Sequence, residues 1–263
     1  MRRIAAVALV ASALLAGCRT VTPPQPIEAD TAATRSLVDS LAAERQARHA
    51  LRGTLRLALD GPQGSFRANQ VLVAQQPAQL RVEVQGFLAQ TVAVLVTDGT
   101  RFELFRARER TLEYGPVYPG LLRDVARIDL DPAEAVPMLL GAPPVPDGLH
   151  VARAFQRGDE TELELADGSG ATRLRLAFGS ARELRRAERL DGDGAPIWRA
   201  TYDDFRPLGG VPFAYSVHIG FPPSSTEASV DFQQVELNPP LPQDAFVFRV
   251  PPGVASPPRP SEG

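Results

Sequence analysis

The sequence contains no lysine, so all 28 of its basic residues are arginines, which we interpret as genome composition and not as a binding signal. It has one cysteine, Cys18, which excludes an internal disulfide. The formal net charge of −3 gives the chain no electrostatic bias towards nucleic acid, so we expect no nucleic-acid partner. Hydrophobic residues make up 44% of the chain, which is too large a fraction for wholesale disorder.

Recognisable catalytic and metal-binding motifs are also missing. His49, His150 and His218 are far apart and show no metal-ligand spacing, and neither a GxSxG elbow nor a P-loop occurs. The run Asp191-Gly192-Asp193-Gly194 begins like a calcium loop but lacks the later ligands, which favours a hairpin turn. We therefore predict no catalytic residue, no metal and no cofactor. The weakest hypothesis for this chain is an enzyme whose active site has no recognisable sequence motif.

The first residues are typical of an export signal. Two arginines precede the apolar stretch 4–14, which is too short to span a bilayer. Leu15-Ala16-Gly17-Cys18 resembles the lipobox of bacterial lipoproteins, in which the cysteine thiolate accepts a diacylglyceryl group. We predict a signal peptide at 1–17 and lipid attachment at Cys18, the alternative being an ordinary secretory signal with a chance cysteine. No aspartate follows Cys18, which by resemblance to enterobacterial sorting favours the outer membrane.

The composition divides the rest of the chain into three parts. Residues 18–29 are predicted to be a stiff, proline-rich tether, 30–250 a folded domain, and 251–263 a disordered tail rich in proline and serine. The domain opens with apolar residues at helical spacing, which predicts a helix from Asp30 to about His49. From Leu51 onwards the apolar residues alternate with polar ones, which is the period of half-buried strands.

About ten or eleven strands follow, mostly joined by short turns, so neighbours are expected to be antiparallel in a strongly curved sheet or barrel. Phe246–Val250 is predicted to be the last strand. The segment 182–190 is ambiguous, because its composition favours a helix and its position favours a hairpin. Two short helices, over 120–128 and 131–141, interrupt the strands and are expected to cover the open mouth.

Four segments resemble the LolA/LolB-like group of lipid carriers. They are Val84–Thr91, with a protruding leucine at Leu88, the helix end Asp131–Gly141, Gly210-Val211-Pro212, and Asn238–Pro242 followed by Phe246–Pro251. The resemblance covers most of 30–252. It implies a mainly β fold, a half-open antiparallel barrel of about 10–11 strands with a helical lid and an apolar interior. The better-known members of this group carry or receive the acyl chains of lipoproteins.

Two candidate sites follow from the residues. The apolar tip Phe87-Leu88 beside Gly86 is predicted to insert into acyl chains, the alternative being that both residues pack into the sheet. The concave face is predicted to form an acyl-binding cavity, the alternative being that the helices fill it and these residues are only core. The residues expected to line it are Leu55, Leu57, Val82, Val84, Phe102, Leu104, Leu174 and Leu176.

The resulting hypothesis is a lipid-anchored binding protein on the periplasmic side of the outer membrane. It is expected to be a monomer that contacts membrane lipid through Cys18. It would hold or accept acyl chains of lipoproteins or lipids, with a periplasmic lipoprotein carrier as a further partner. The alternative is a non-catalytic scaffold or interaction subunit of an envelope assembly.

Overall fold

The computed structural model describes residues 23–254. The expected signal peptide at 1–17, the lipid site Cys18 and residues 255–263 of the expected tail lie outside the described residues. Within 23–254 the chain forms one 14-stranded sheet and three α-helices. Every strand pair is antiparallel, as the short connections predict.

The strands follow one another along most of the sheet. Its spatial order is β1-β8-β9-β10-β11-β12-β13-β14-β2-β3-β4-β5-β6-β7, so β1 and β7 are its two edges. The strands are β1 (Gln25–Ile27), β2 (Ala50–Asp60), β3 (Phe66–Gln75), β4 (Gln79–Gln85), β5 (Thr91–Thr97), β6 (Arg101–Arg106), β7 (Thr111–Pro116), β8 (His150–Arg157), β9 (Glu160–Ala166), β10 (Thr172–Phe178), β11 (Leu184–Leu190), β12 (Pro196–Leu208), β13 (Val211–Phe221) and β14 (Thr226–Leu237).

The inward faces of strands from both halves of the sheet contribute to one large apolar core, together with side chains of the helices. Since the two edges do not pair with each other among the described residues, the sheet curves around the core without closing into a barrel. The predicted fold class, a mainly β half-open barrel with a helical lid, is confirmed.

A threonine caps the first helix, and a proline begins the third. Helix α1 (Ala32–Ala47) starts after Thr31, whose hydroxyl accepts a hydrogen bond from the backbone N–H of Thr34 while the Thr34 hydroxyl accepts one from the backbone N–H of Thr31. Helices α2 (Leu121–Ala126) and α3 (Pro132–Leu139) lie between β7 and β8, and α3 has proline in its first turn. Leu37 and Leu41 of α1 enter the core.

A buried arginine connects α1 to the rest of the fold. Arg48 is 5% exposed and pairs with Glu44, with 2.9 Å between the guanidinium nitrogen and the carboxylate oxygen. Its guanidinium also donates to the carbonyl oxygens of Leu140 (3.3 Å) and Pro212 (2.9 Å). Burial raises the pKa of Glu44 against the attraction of Arg48. These contacts hold α1 against the end of α3 and the start of β13.

Three strands account for most of the difference from the expected count. Strand β11 occupies the ambiguous segment, because hydrogen bonding to β10 and β12 on both sides outweighs its helical composition. Strand β8 was not recognised in the sequence. Strand β1 lies inside the expected tether 18–29, where three residues pair with β8 although one of them is Pro26. Pro26 is tolerated because β1 is an edge strand.

The predicted strand Phe246–Val250 is wrong. The chain after β14 instead crosses the outer face of the sheet, where Phe246, Phe248 and Val254 pack on a second apolar cluster. That cluster consists of Val94 and Val96 of β5 and Phe105 of β6, whose ring stacks on that of Phe248 at 5.3 Å between centroids. Because β5 is apolar on both faces, side chains must pack over its outer face to bury it. A strand that paired at the edge of the sheet would leave that face exposed.

Candidate functional site

An apolar cavity of about 230 Å³ lies between the inner face of the sheet and the two short helices. Strands β2–β6, β13 and β14 contribute to its wall on one side, and α2, α3 and the segment between them on the other. Apart from Gln70 and Arg127, every residue in the wall is apolar. Such a surface has no preferred polar partner and favours hydrocarbon over water.

Exposure distinguishes a floor from a mouth. The floor is formed by fully buried leucines, among them Leu57, Leu72 and Leu95. The mouth is formed by half-buried residues, among them Phe66 and Val84 of the sheet and Ile128 after α2. The cavity therefore communicates with the surface between the sheet and α2.

The structure places five of the eight expected residues in the cavity wall: Leu55, Leu57, Val82, Val84 and Leu104. The other three lie elsewhere. Phe102 is buried beside Tyr118, with 6.1 Å between ring centroids. Leu174 and Leu176 are buried on β10, in the half of the sheet that does not border the cavity. Alternation placed these three side chains on the inner face, but it could not tell the cavity wall from filled core.

Several wall residues were missed by sequence reasoning. On the sheet they include Leu59, Leu72 and Leu80, which share the inward phase of the predicted strands. On the helical side they are Leu122, Val125, Ile128, Leu130 and Leu139 together with three smaller or polar neighbours: Ala126, Arg127 and Ala135. The helical spacing of the apolar members was visible in the sequence, and together with the expected lid position of the two helices it could have identified them.

Arg127 fastens the helical side of the cavity to the sheet. It ends α2 in the left-handed backbone conformation, with φ of 60°. Its guanidinium donates to the carbonyl oxygens of Gln63 (3.2 Å) and Gly64 (3.3 Å) in the turn between β2 and β3. These two hydrogen bonds hold the end of α2 at the mouth.

The loop between β4 and β5 is an ordered apolar tip. The N–H of Gly86 donates to the carbonyl of Gln90 (2.8 Å), and the N–H of Leu88 donates to the Gln90 side chain (2.9 Å). Ala89 takes a positive φ of 60°, which turns the chain. Phe87 is 100% exposed and Leu88 81% exposed, so the alternative that both pack into the sheet is wrong.

This tip rises from the mouth of the cavity. Val84 pairs with Ala93 across β4 and β5, and both side chains belong to the cavity wall. The loop begins two residues beyond Val84 and ends three residues before Ala93. A hydrocarbon chain leaving the cavity between these strands would therefore meet the tip.

The outer face of the other half of the sheet is polar. Arg175 bridges Glu164 and Glu188, with nitrogen–oxygen distances of 3.1 and 2.7 Å, and Arg199 continues the row to Glu188 at 2.5 Å. Although burial raises it, the pKa of Glu188 is held below its usual value by hydrogen bonds from Arg199 and Arg175. The charges of these residues compensate one another along the strands.

Residues 23–254 contain neither a membrane-crossing helix nor a metal-binding cluster. No helix there combines the length and hydrophobicity that crossing a bilayer requires. No group of three or more histidine, cysteine, aspartate or glutamate side chains in that range is arranged to hold a metal ion.

Comparison with known proteins gives matches of structure only. No protein-family model matches the sequence, and a search of curated protein sequences finds no match. The structure is similar to that of a LolA superfamily protein from Nitrosomonas europaea, with a TM-score of 0.56 and 14% identity over 81% of this chain and 97% of that chain. The chain has a LolA/LolB-like fold. A DUF1329 family protein from Desulfovibrio piger is also similar, with a TM-score of 0.52 and 8% identity over 81% of this chain and 96% of that chain.

Proposed function

We propose that this protein is a lipid-anchored acyl-chain binder on the periplasmic side of the outer membrane, attached through Cys18. In this proposal the cavity holds or accepts one acyl chain of a lipoprotein or membrane lipid, and no covalent chemistry takes place. The observation that carries the proposal is an apolar cavity whose mouth lies directly beneath an exposed apolar tip. The LolA/LolB-like fold agrees with this role.

The size of the cavity suits a single chain. An engineered apolar cavity of about 150 Å³ binds benzene, and pockets for drug-sized ligands range from about 300 to 1,000 Å³. The volume of about 230 Å³ falls between them. One acyl segment fits, and additional chains of the same lipid would require α2 to move away from the sheet.

The tip supplies a route between cavity and membrane. Burying one large apolar side chain in hydrocarbon gains about 1.5–3 kcal/mol, so Phe87 and Leu88 together offer about 3–6 kcal/mol. Alone this is weak binding, but a lipid on Cys18 would already keep the protein at the bilayer surface. Insertion would place the mouth next to the acyl chains that it is proposed to take up or release.

Replacing Leu88 with glutamate tests the proposal. The change removes the gain of one inserted side chain, so partition of the delipidated protein into phospholipid vesicles should fall about tenfold or more. Transfer of an acylated lipoprotein from a periplasmic carrier to the membrane should fall with it. The control is Val211→Glu, since Val211 is 43% exposed and begins β13 at the opposite end of the sheet from the tip. Equal partition and transfer in both variants would contradict insertion.

Fluorescent fatty acids separate the acyl binder from a scaffold. The delipidated protein should bind them saturably in the cavity. If it binds none and Leu88→Glu also changes nothing, the proposal is wrong and a solid interaction module is the better description.

A further inference from the structure

One amide side chain interrupts the apolar wall of the cavity. Gln70 lies on β3 between Leu55 of β2 and Val84 of β4, and all three belong to the wall. The residue is buried, with a relative exposure of 6%. Its side-chain amide is accessible from the cavity, and no hydrogen bond joins it to another side chain or to the backbone among residues 23–254.

An unpaired amide in this position costs stability. A buried polar group without a hydrogen bond loses its hydration and gains nothing in return, whereas leucine would fill the same space without that loss. Water entering through the mouth compensates only in part, because the apolar wall offers it few of the two to four polar partners that an ordered water needs. The other polar side chain of the wall, Arg127, already donates to the β2–β3 turn.

The level of Gln70 in the cavity indicates what its partner is. It pairs with the half-buried Val84 of the mouth on one side and with the buried Leu55 on the other, which places it where the floor meets the mouth. A hydrocarbon tail seated against the floor therefore brings its first polar atoms to the level of Gln70. A neutral carbonyl oxygen suits that position, because a carboxylate would also have to give up the hydration of its charge.

We infer that Gln70 recognises the ester or amide carbonyl that joins an acyl chain to its head group, by donating its side-chain N–H to that oxygen. This inference rests on the proposed function and narrows its ligand to carbonyl-linked acyl chains. Two sources share this chemistry: the ester of a phospholipid and the acyl linkages on the N-terminal cysteine of a lipoprotein.

A matched pair of ligands tests the inference. Monopalmitoylglycerol has the ester carbonyl, and hexadecylglycerol ether lacks it but has a chain of equal length. Displacement of a fluorescent fatty acid from residues 18–263 carrying Cys18→Ser, which keeps every described residue, measures both affinities. The unsubstituted cavity should prefer the ester about five- to tenfold, the effect of one buried hydrogen bond. Gln70→Leu should abolish this preference and leave ether affinity within about twofold.

Two further variants control the experiment. Gln70→Met, which is closer to glutamine in length, should behave like Gln70→Leu. Gln234→Leu makes the same change at an exposed position of β14 and should keep the full ester preference. Lysophosphatidylethanolamine and a palmitoylated cysteine peptide then represent the two sources. Each one that binds through its carbonyl should lose affinity in Gln70→Leu.

The outcomes distinguish this inference from the proposed function. Equal binding of ester and ether by the unsubstituted cavity, or equal weakening of both by Gln70→Leu, would overturn the role of Gln70 and leave acyl binding intact. Failure of both ligands and of the fluorescent fatty acid to bind would overturn acyl binding, and the role of Gln70 with it.

Discussion

Replacing Ala228 with leucine tests whether the cavity is space that a guest can occupy. Ala228 lies on β14, is 2% exposed, and sits between Leu59 and Ile219 in the cavity wall. The substitution adds three carbon atoms that point into the cavity. At about 0.8 kcal/mol for each buried methylene, the protein should become more stable by about 2 kcal/mol.

The same three carbons should weaken ligand binding by a similar free energy. They occupy volume that an acyl chain would otherwise fill, so the chain loses about three buried methylenes. A loss of about 2 kcal/mol corresponds to an affinity about thirtyfold lower. Urea unfolding of the delipidated protein measures the stability, and titration with a fluorescent fatty acid measures the affinity.

Ala74 provides the matched control. It is fully buried on β3 between Leu51 and Leu80, outside the cavity wall. Leucine there has no free volume to enter, so overpacking should lower the free energy of unfolding by about 1–3 kcal/mol. If Ala228→Leu destabilises the protein as much as Ala74→Leu does, the cavity is not available space and the reasoning from it is refuted.

Two other substitutions test how the fold is held together. Arg48→Ala should lower the free energy of unfolding, measured with urea, by about 2–3 kcal/mol, because it leaves a half-buried carboxylate and two carbonyls unpaired. The control is Arg52→Ala, since the exposed ion pair of Arg52 should contribute less than about 0.5 kcal/mol. A loss no larger than that of Arg52→Ala would contradict the role of Arg48. Hydrogen bonds from Ser169 and Arg173 hold the pKa of Asp167 well below its usual value, so its contribution is complete above about pH 4 and is lost as pH falls further. The urea midpoint of Asp167→Asn should therefore fall less than that of the parent between pH 5 and pH 2, and parallel curves would count against it.

Local periodicity was enough to predict much of the architecture. The helix expected over 30–49 is α1, at Ala32–Ala47, and the two short helices expected over 120–128 and 131–141 are α2 and α3. These elements depend on neighbours close in sequence, so local patterns report them. The pairing of β14 with β2 joins residues far apart in the chain, and alternation alone contains no information about it.

The site was only partly predictable for a related reason. Leu72 and Leu174 have the same residue type, the same strand periodicity and the same burial, yet only Leu72 borders the cavity. The two leucines differ because α2 and α3 leave an open space in front of the half of the sheet that contains Leu72. The exposed tip was easier to identify, because Phe87 and Leu88 follow a glycine outside any strand pattern.

The pairing of β1 with β8 limits the length of the tether between Cys18 and the folded domain. Gln25 is already fixed to the sheet opposite Gln156, and only six residues, a span of seven residue steps, lie between it and Cys18. A fully extended chain of that length reaches at most about 25 Å. If Cys18 carries lipid, this edge of the sheet cannot drift farther than that from the bilayer surface. The protein would then reach its ligands by reorienting at the membrane surface, not by diffusing through the periplasm.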